Sequence, residues 1–378
     1  MHERRQSNGG RTFRAIGTMT GTSMDGLDLA LLITDGDGAV TPGPTASHPF
    51  SALERDLLAA AIVEASTVSD REARPPALAR AEAFISQVHA TAISAFLAAN
   101  NLAAAEIDVV GMHGQTVIHR PHEALTIQLG DGAALADALA IPVVHDFRAA
   151  DVAAGGEGAP FAPAYHRALA NRMPGWPVAF LNIGGVANIT WIARDGAMLA
   201  FDTGPGNALI DDFVRAHSNA IQDENGAYAT AGQVDAAALN RLLRHPFFAA
   251  PAPKSLDRNA FDPAAVDGLS LQDGCATLTA FTAETIARAR EILPEAPGVW
   301  VVCGGGRKNR ALMTALAERV EGLVIPAEAA GLHGDMLEAQ AFAYLAVRSM
   351  RGLPLSFPET TGVSAPMTGG VLSRPRAE

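Results

Sequence analysis

Eight apolar, β-branched stretches, at 15–18, 27–33, 107–112, 142–147, 178–183, 187–192, 198–201 and 299–303, have the length of strands, and they end repeatedly in Gly-rich turns. Between and after them, apolar positions recur at helical spacing over 51–65, 78–99, 159–171, 208–216, 236–244, 270–292, 308–320 and 336–350. This mixture predicts an α/β fold with long helices. The Pro-bearing stretches 41–49 and 250–253 read as surface connections, and Asp195-Gly196 as a hairpin turn.

No repeat of solenoid period is present. A looser duplication is: a strand, a Gly/Thr loop and an acidic residue at 20–25 recur at 201–207, as two related half-domains with a phosphate loop each would require. A chain of 378 residues, 48% apolar and 18% charged, favours two domains over one. Its formal net charge of −12 opposes a phosphate backbone, and no Lys/Arg run compensates, so nucleic acid is not an expected partner. Cys275 and Cys303 form neither a disulfide framework nor a Cys-x-x-Cys pair, which suits a reducing compartment. Residues 1–14 are polar and lack the apolar run of a signal peptide or membrane span; they read as a disordered tail on a cytoplasmic protein.

Three glycine clusters carry candidate phosphate chemistry. In Gly-Thr-Met-Thr-Gly-Thr-Ser-Met-Asp-Gly (17–26), Thr20, Gly21, Thr22 and Ser23 offer amides and hydroxyls to phosphate, although a plain tight hairpin has the same composition. Asp25 either caps that turn or holds hydrated magnesium. In Phe-Asp-Thr-Gly-Pro-Gly-Asn (201–207) the loop opens a helix, so its amides face the positive helix end; Asp202 is either a catalytic carboxylate or a turn-fixing one. The third, Gly304, Gly305 and Gly306, follows a buried strand but lacks both the Walker Lys-Ser/Thr and the dinucleotide glycine spacing.

Polar groups beside strand ends, His113-Gly-Gln115-Thr116 and the stretch from Asp146 through Arg148 and Asp151 to Gly155 and Gly156, suit a polyhydroxylated ligand. His113, His119 and His122 fit no standard zinc spacing. Glu338 opens an apolar helix, where it serves the helix dipole or faces a ligand.

The ordered motifs Gly-Thr-Ser-Met-Asp-Gly, His-Gly-Gln-Thr, Asp-Phe-Arg-x-x-Asp-Val-Ala-Ala-Gly-Gly, Leu-Asn-Ile-Gly-Gly-x-Ala-Asn, Phe-Asp-Thr-Gly-Pro-Gly-Asn and Cys-Gly-Gly-Gly resemble the anhydro-N-acetylmuramic acid kinases. The resemblance runs from about Ile16 to Leu372 and includes Pro253-Lys-Ser255 and Thr361-Gly-x-Ser364. It implies two RNase H-like domains of the actin/hexokinase/Hsp70 ATPase superfamily around an interdomain cleft, the first made of 15–140 plus 352–378 and the second of 141–351. It also implies ATP with Mg2+, an anhydro amino sugar as substrate, peptidoglycan recycling, no membrane partner and a homodimer.

By motif position the resemblance makes Asp202 a general base and Glu338 an active-site carboxylate. It makes Arg148 an anion contact, to the substrate's lactyl carboxylate or to phosphate. ATP contacts are expected from Thr20 to Gly26 with Met24 included, from Gly184, Gly185 and Asn188, from Gly204, Gly206 and Asn207, and from Gly304, Gly305, Gly306 and Asn309. Two departures stand out: Ala149 and Ala150 where some relatives carry arginines, and Leu332-His333-Gly334 where prolines are frequent. Rival readings are a sugar kinase of the same superfamily acting on a free hydroxyl, and an actin- or Hsp70-like ATPase switch.

Overall fold

The computed structural model describes residues 10–21, 23–258 and 260–376. Most of the expected tail and Thr22 therefore lie outside the described residues. The chain forms two compact units: one ends at Leu169 and resumes at Met336, and the other runs from Ala170 to Asp335.

In chain order, the first unit holds β1 (Phe13–Thr20), β2 (Gly26–Thr34), β3 (Val40–Pro49), α1 (Ala52–Ala65), α2 (Pro76–Ala99), β4 (Val109–Met112), β5 (Gln115–Arg120), β6 (Leu125–Leu129), α3 (Gly132–Leu139), β7 (Val143–His145), α4 (Ala149–Ala153) and α5 (Ala162–Ala170). The second holds β8 (Val178–Ile183), β9 (Val186–Ile192), β10 (Met198–Pro205), α6 (Ala208–His217), α7 (Ala227–Ala231), α8 (Ala236–Leu242), α9 (Leu271–Arg288), β11 (Val299–Cys303), α10 (Arg310–Ala317) and β12 (Leu323–Pro326). The chain then returns to the first unit with α11 (Leu337–Met350), α12 (Pro358–Thr361) and β13 (Val371–Ser373).

The two main sheets repeat one topology. In the first, β3, β2 and β1 run antiparallel and β4 and β7 continue parallel to β1, with β13 closing the edge. In the second, β10, β9 and β8 run antiparallel and β11 and β12 continue parallel to β8. This shared order is the arrangement expected of a pair of RNase H-like units, and it corrects the duplication read from the sequence. The hairpin after the first strand is β1–β2 in one sheet and β8–β9, with Gly184 and Gly185, in the other, so the counterpart of the loop at 20–25 is 184–185, whereas 201–207 ends β10 and leads into α6.

Packing explains where the units divide. Between the first sheet and α1, α2 and α3, Leu58, Ile85, Val110, Leu129 and Leu135 are sealed from water, each burial contributing about 1.5–3 kcal/mol. On the other face, α11 sits almost on the strands. Gly17 and Gly111 are register partners in β1 and β4, and a Cβ on either would collide with the α11 carbonyls of Ala339 or Phe342. The alanines of α11 complete that close approach. Because α11 covers the first sheet and β7 pairs with β4, residues 141–169 and 336–351 belong to the first unit, whereas the sequence reading assigned them to the second domain. In the second unit, α9 and α10 bury Ile286 and Leu312 against Leu181, Phe201 and Trp300, and a second cluster around Phe213, Phe261 and Phe281 joins α6, α8 and α9.

The stretch 41–49, expected as a surface connection, is the edge strand β3. Its prolines fit there because an edge strand needs no donor on its outer side. The β5–β6 hairpin was also unanticipated. Among the described residues no helix is long and apolar enough to cross a membrane.

Candidate active site

In the first unit the β1–β2 turn opens on a cavity of about 320 Å³ lined by Gly21, Ser23, Asp25, Gly26 and Glu338, together with Asp28, Ser47 and His48 from β2 and β3. The Met24 amide donates to the Gly21 carbonyl at 3.1 Å, with Met24 itself left-handed at φ +56°. Thr20 is buried and its hydroxyl donates to the Gly114 carbonyl at 2.7 Å, so it ties the turn to the segment after β4. The fully buried Gln115 makes a longer bond of the same kind, from Nε2 to the Gly21 carbonyl at 3.4 Å. Glu338, in the first turn of α11, reaches solvent through this cavity. Enclosure by protein raises its pKa, with Arg148 opposing and Asp28 reinforcing the rise.

Arg148 lies just ahead of α4. Its Nη1 donates to the Gly158 carbonyl at 2.7 Å, its Nη2 and Nε reach His113 Nε2 at 3.0 and 3.3 Å, and its guanidinium lies 5.6 Å from the Phe161 ring centre. Burial lowers its pKa to about 10, which leaves it charged at neutral pH. Asp151 is 1% exposed; Oδ1 accepts from the Gly158 amide at 2.7 Å, and Oδ2 accepts from Thr361 Oγ1 at 2.7 Å and from the Ser356 hydroxyl. Thr116 accepts from Gln128 at 3.2 Å. Gly155 is an exposed left-handed turn residue, and Gly156 packs on Asp151. Asp146, ion-paired with Arg71 at 2.5 Å, faces a separate cavity of about 450 Å³ that Ala149 and Ala150 also line. The two alanines thus leave that cavity open.

In the second unit Asp202 lies within β10, opposite Asn188 of β9, where the register shifts before Gly204. Such a bulge re-aims a side chain. The segment 254–256 clamps the residue: its amide donates to the Lys254 carbonyl at 2.9 Å, and Oδ2 accepts from the Leu256 amide at 2.8 Å. Burial raises its pKa to about 6 against the lowering effect of that amide bond.

The glycine clusters of this unit meet. The Gly206 amide donates to Gly185 at 2.9 Å, the Asn207 amide to Gly184 at 2.7 Å, and Asn207 Nδ2 to Ile183 at 3.1 Å. Asn207 Nδ2 also adjoins Gly305, while Gly306 packs on Ile183 and Gly204 on Thr285. Several amides expected to face phosphate are therefore engaged by carbonyls, and the exposed backbone of the patch is that of Gly185 and Gly305. Asn309 caps α10, its Oδ1 accepting from Leu312 at 3.0 Å. Arg307, unremarked in the sequence, bonds the Gly304 carbonyl and Asp335 at 2.8 Å each and Glu328 at 2.9 Å, which holds the triple-glycine turn. Its place directly after three glycines was the available signal; for Asp28 it was a charge inside an apolar strand.

A family model described as anhydro-N-acetylmuramic acid kinase matches residues 13–374. The chain belongs to this family. Anhydro-N-acetylmuramic acid kinases of Bradyrhizobium diazoefficiens and Nitrobacter winogradskyi are 52% and 51% identical over 363 residues, 96% of this chain and 99% of each relative. That of Methylobacterium nodulans is 52% identical over 374 residues, 96% of this chain and 100% of the relative. Among solved structures, the (R)-2-hydroxyglutaryl-CoA dehydratase component A of Acidaminococcus fermentans is a distant likeness, 10% identical over 90% of this chain and 99% of that chain, with a TM-score of 0.48. As a member of the anhydro-N-acetylmuramic acid kinase family the chain is an ATP-using kinase, a phosphotransferase acting on a sugar. Among its described residues no group of three His, Cys, Asp or Glu side chains is placed to hold a metal.

Proposed function

We propose that the chain opens 1,6-anhydro-N-acetylmuramic acid with water and phosphorylates it with ATP, giving N-acetylmuramic acid 6-phosphate and ADP in cytoplasmic peptidoglycan recycling. The relatives' name supplies the substrate. The observation that carries the chemistry is Asp202, a clamped carboxyl whose proton affinity burial raises to about 6, a value suited to a general base at neutral pH.

In this reading Asp202 takes one proton from water as the water oxygen bonds to the anomeric carbon. The bond from that carbon to the bridging oxygen breaks, and its electron pair stays on O6, as in inverting glycoside hydrolysis. O6 then bonds to the γ-phosphorus while the bond to the β-γ bridging oxygen breaks and ADP departs. Arg148 offers its fork to the sugar's carboxylate or to phosphate, and Glu338 accepts hydrogen bonds from the ligand. Gly21, Ser23, Gly185 and Gly305 present backbone to ATP.

Magnesium enters as the partner of ATP. It keeps most of its waters and takes few protein oxygens, so one exposed carboxylate on the first turn, Asp25, fits a hold through water. When bound, the ion neutralises charge on the phosphates. The resemblance extends to a homodimer, which sedimentation of the purified chain tests.

ADP release with three sugars tests the substrate. The anhydro sugar should support turnover, while reducing N-acetylmuramic acid and glucose should not. Turnover of the reducing sugar in place of the anhydro form would reassign the chain to the free-hydroxyl kinases.

A further inference from the structure

We propose that His113 and Asp151 are positioning residues: they fix the Arg148 guanidinium in one orientation, and neither touches the sugar. The proposal rests on the reading of Arg148 as the anion contact, and it replaces the direct sugar contacts expected of both residues.

Hydrogen-bond chemistry fixes the direction of each link. A guanidinium carries five N–H donors and no acceptor, so His113 Nε2, reached by Nη2 at 3.0 Å and Nε at 3.3 Å, presents its lone pair. The ring is therefore neutral, with its proton on Nδ1. Burial, with the neighbouring Arg148 charge, holds the His113 pKa well below the usual range and keeps that form at neutral pH. The ring cannot drift, because it is 3% exposed and packs at 4.6 Å on Phe342, one face of the helix that carries Glu338.

The second acceptor is equally constrained. The Gly158 carbonyl takes Nη1 at 2.7 Å, and the same residue's amide is anchored 2.7 Å from Asp151 Oδ1. Gly158 is left-handed at φ +65°, a geometry glycine adopts without strain. Asp151 is itself held on its other oxygen by Thr361 and Ser356, so a buried carboxylate with three protein donors sets the angle of the carbonyl. These bonds use three of the five donors and leave one N–H on each terminal nitrogen. A carboxylate or two phosphate oxygens can take that pair together.

A residue that acts through Arg148 has nothing to act on once Arg148 is gone, so a double-mutant cycle separates positioning from contact. The full chain is assayed for ATP-dependent turnover of the anhydro sugar as wild type, His113→Leu, Arg148→Ala and the double variant. The expected result is a roughly 10- to 100-fold loss of kcat/KM in His113→Leu that shrinks below about twofold in the Arg148→Ala background, as misplacement of a clamp predicts. His113→Gln, which keeps an acceptor, should recover much of the loss. Losses that multiply across the cycle would overturn the proposal. A second readout needs no turnover: the arginine Nε–H resonance lost in Arg148→Ala should shift in His113→Leu and return toward its place in His113→Gln. A resonance indifferent to His113 would also overturn it. Should wild type fail to consume the anhydro sugar, the substrate reading falls, and the resonance alone decides the positioning.

Discussion

Asp202 owes its character to where β10 places it. Within a strand, next to a register shift, its carboxyl loses water, and one backbone amide does not compensate. Two consequences follow from a pKa near 6. Turnover should depend on the ionised form, so kcat/KM should fall about tenfold per pH unit below about 6 and level off above it. Because the folded-state pKa is raised, protonation favours the folded state: this contribution is complete below the unfolded carboxyl's range and lost as pH rises through about 6. Asp202→Asn should therefore raise the thermal midpoint at pH 8 and raise it distinctly less at pH 5, inside the window between the unfolded and folded pKa values. An unchanged difference at the two pH values would mean that Asp202 is not held as described. The motif around Asp202 was legible in the sequence; its clamp, 54 residues further along the chain, was not, because the Leu256 amide carries no side-chain signal. The same limit applies to Thr20, Asp151 and Asn309. Each reads as a ligand group by type, yet each has internal partners that only the folded backbone supplies.

At the scale of elements, the contact between α11 and the first sheet constrains the fold most tightly. Two glycines in register let the helix backbone lie against the strands, and the helix carries Glu338 in its first turn. Gly111→Ala should cost about 1–3 kcal/mol or more, measured as a lowered denaturant midpoint, since the added methyl meets a backbone carbonyl that cannot rotate away. A neutral substitution would show that α11 sits further off. The apolar runs marked most central strands and long helices correctly. They missed β3, whose prolines and exposed face disguise an edge strand, and the β5–β6 hairpin, whose interspersed polar residues Gln115, Thr116, Thr126 and Gln128, the first and third of them buried, interrupt the apolar pattern.

For the molecule as a whole, the repeated strand order explains why glycine-rich hairpins occur twice, and the return of the chain to its first sheet explains why linear boundaries misplace 336–351. No local pattern encodes that return; it depends on α11 matching a glycine-floored sheet more than two hundred residues earlier in the chain. Family motifs distributed through both units made the kinase legible where periodicity alone could not. The coupling of bridge opening to phosphoryl transfer is tested by turnover of 1,6-anhydro-N-acetylmuramic acid with ATP and magnesium in oxygen-18 water, quenched promptly and read by mass spectrometry, for wild type and Asp202→Asn. One heavy oxygen at the anomeric position, unlabelled phosphate on O6, and loss of both sugar phosphate and ADP in the variant are the predicted outcome. Heavy oxygen in the phosphate, or full turnover by Asp202→Asn, would contradict it.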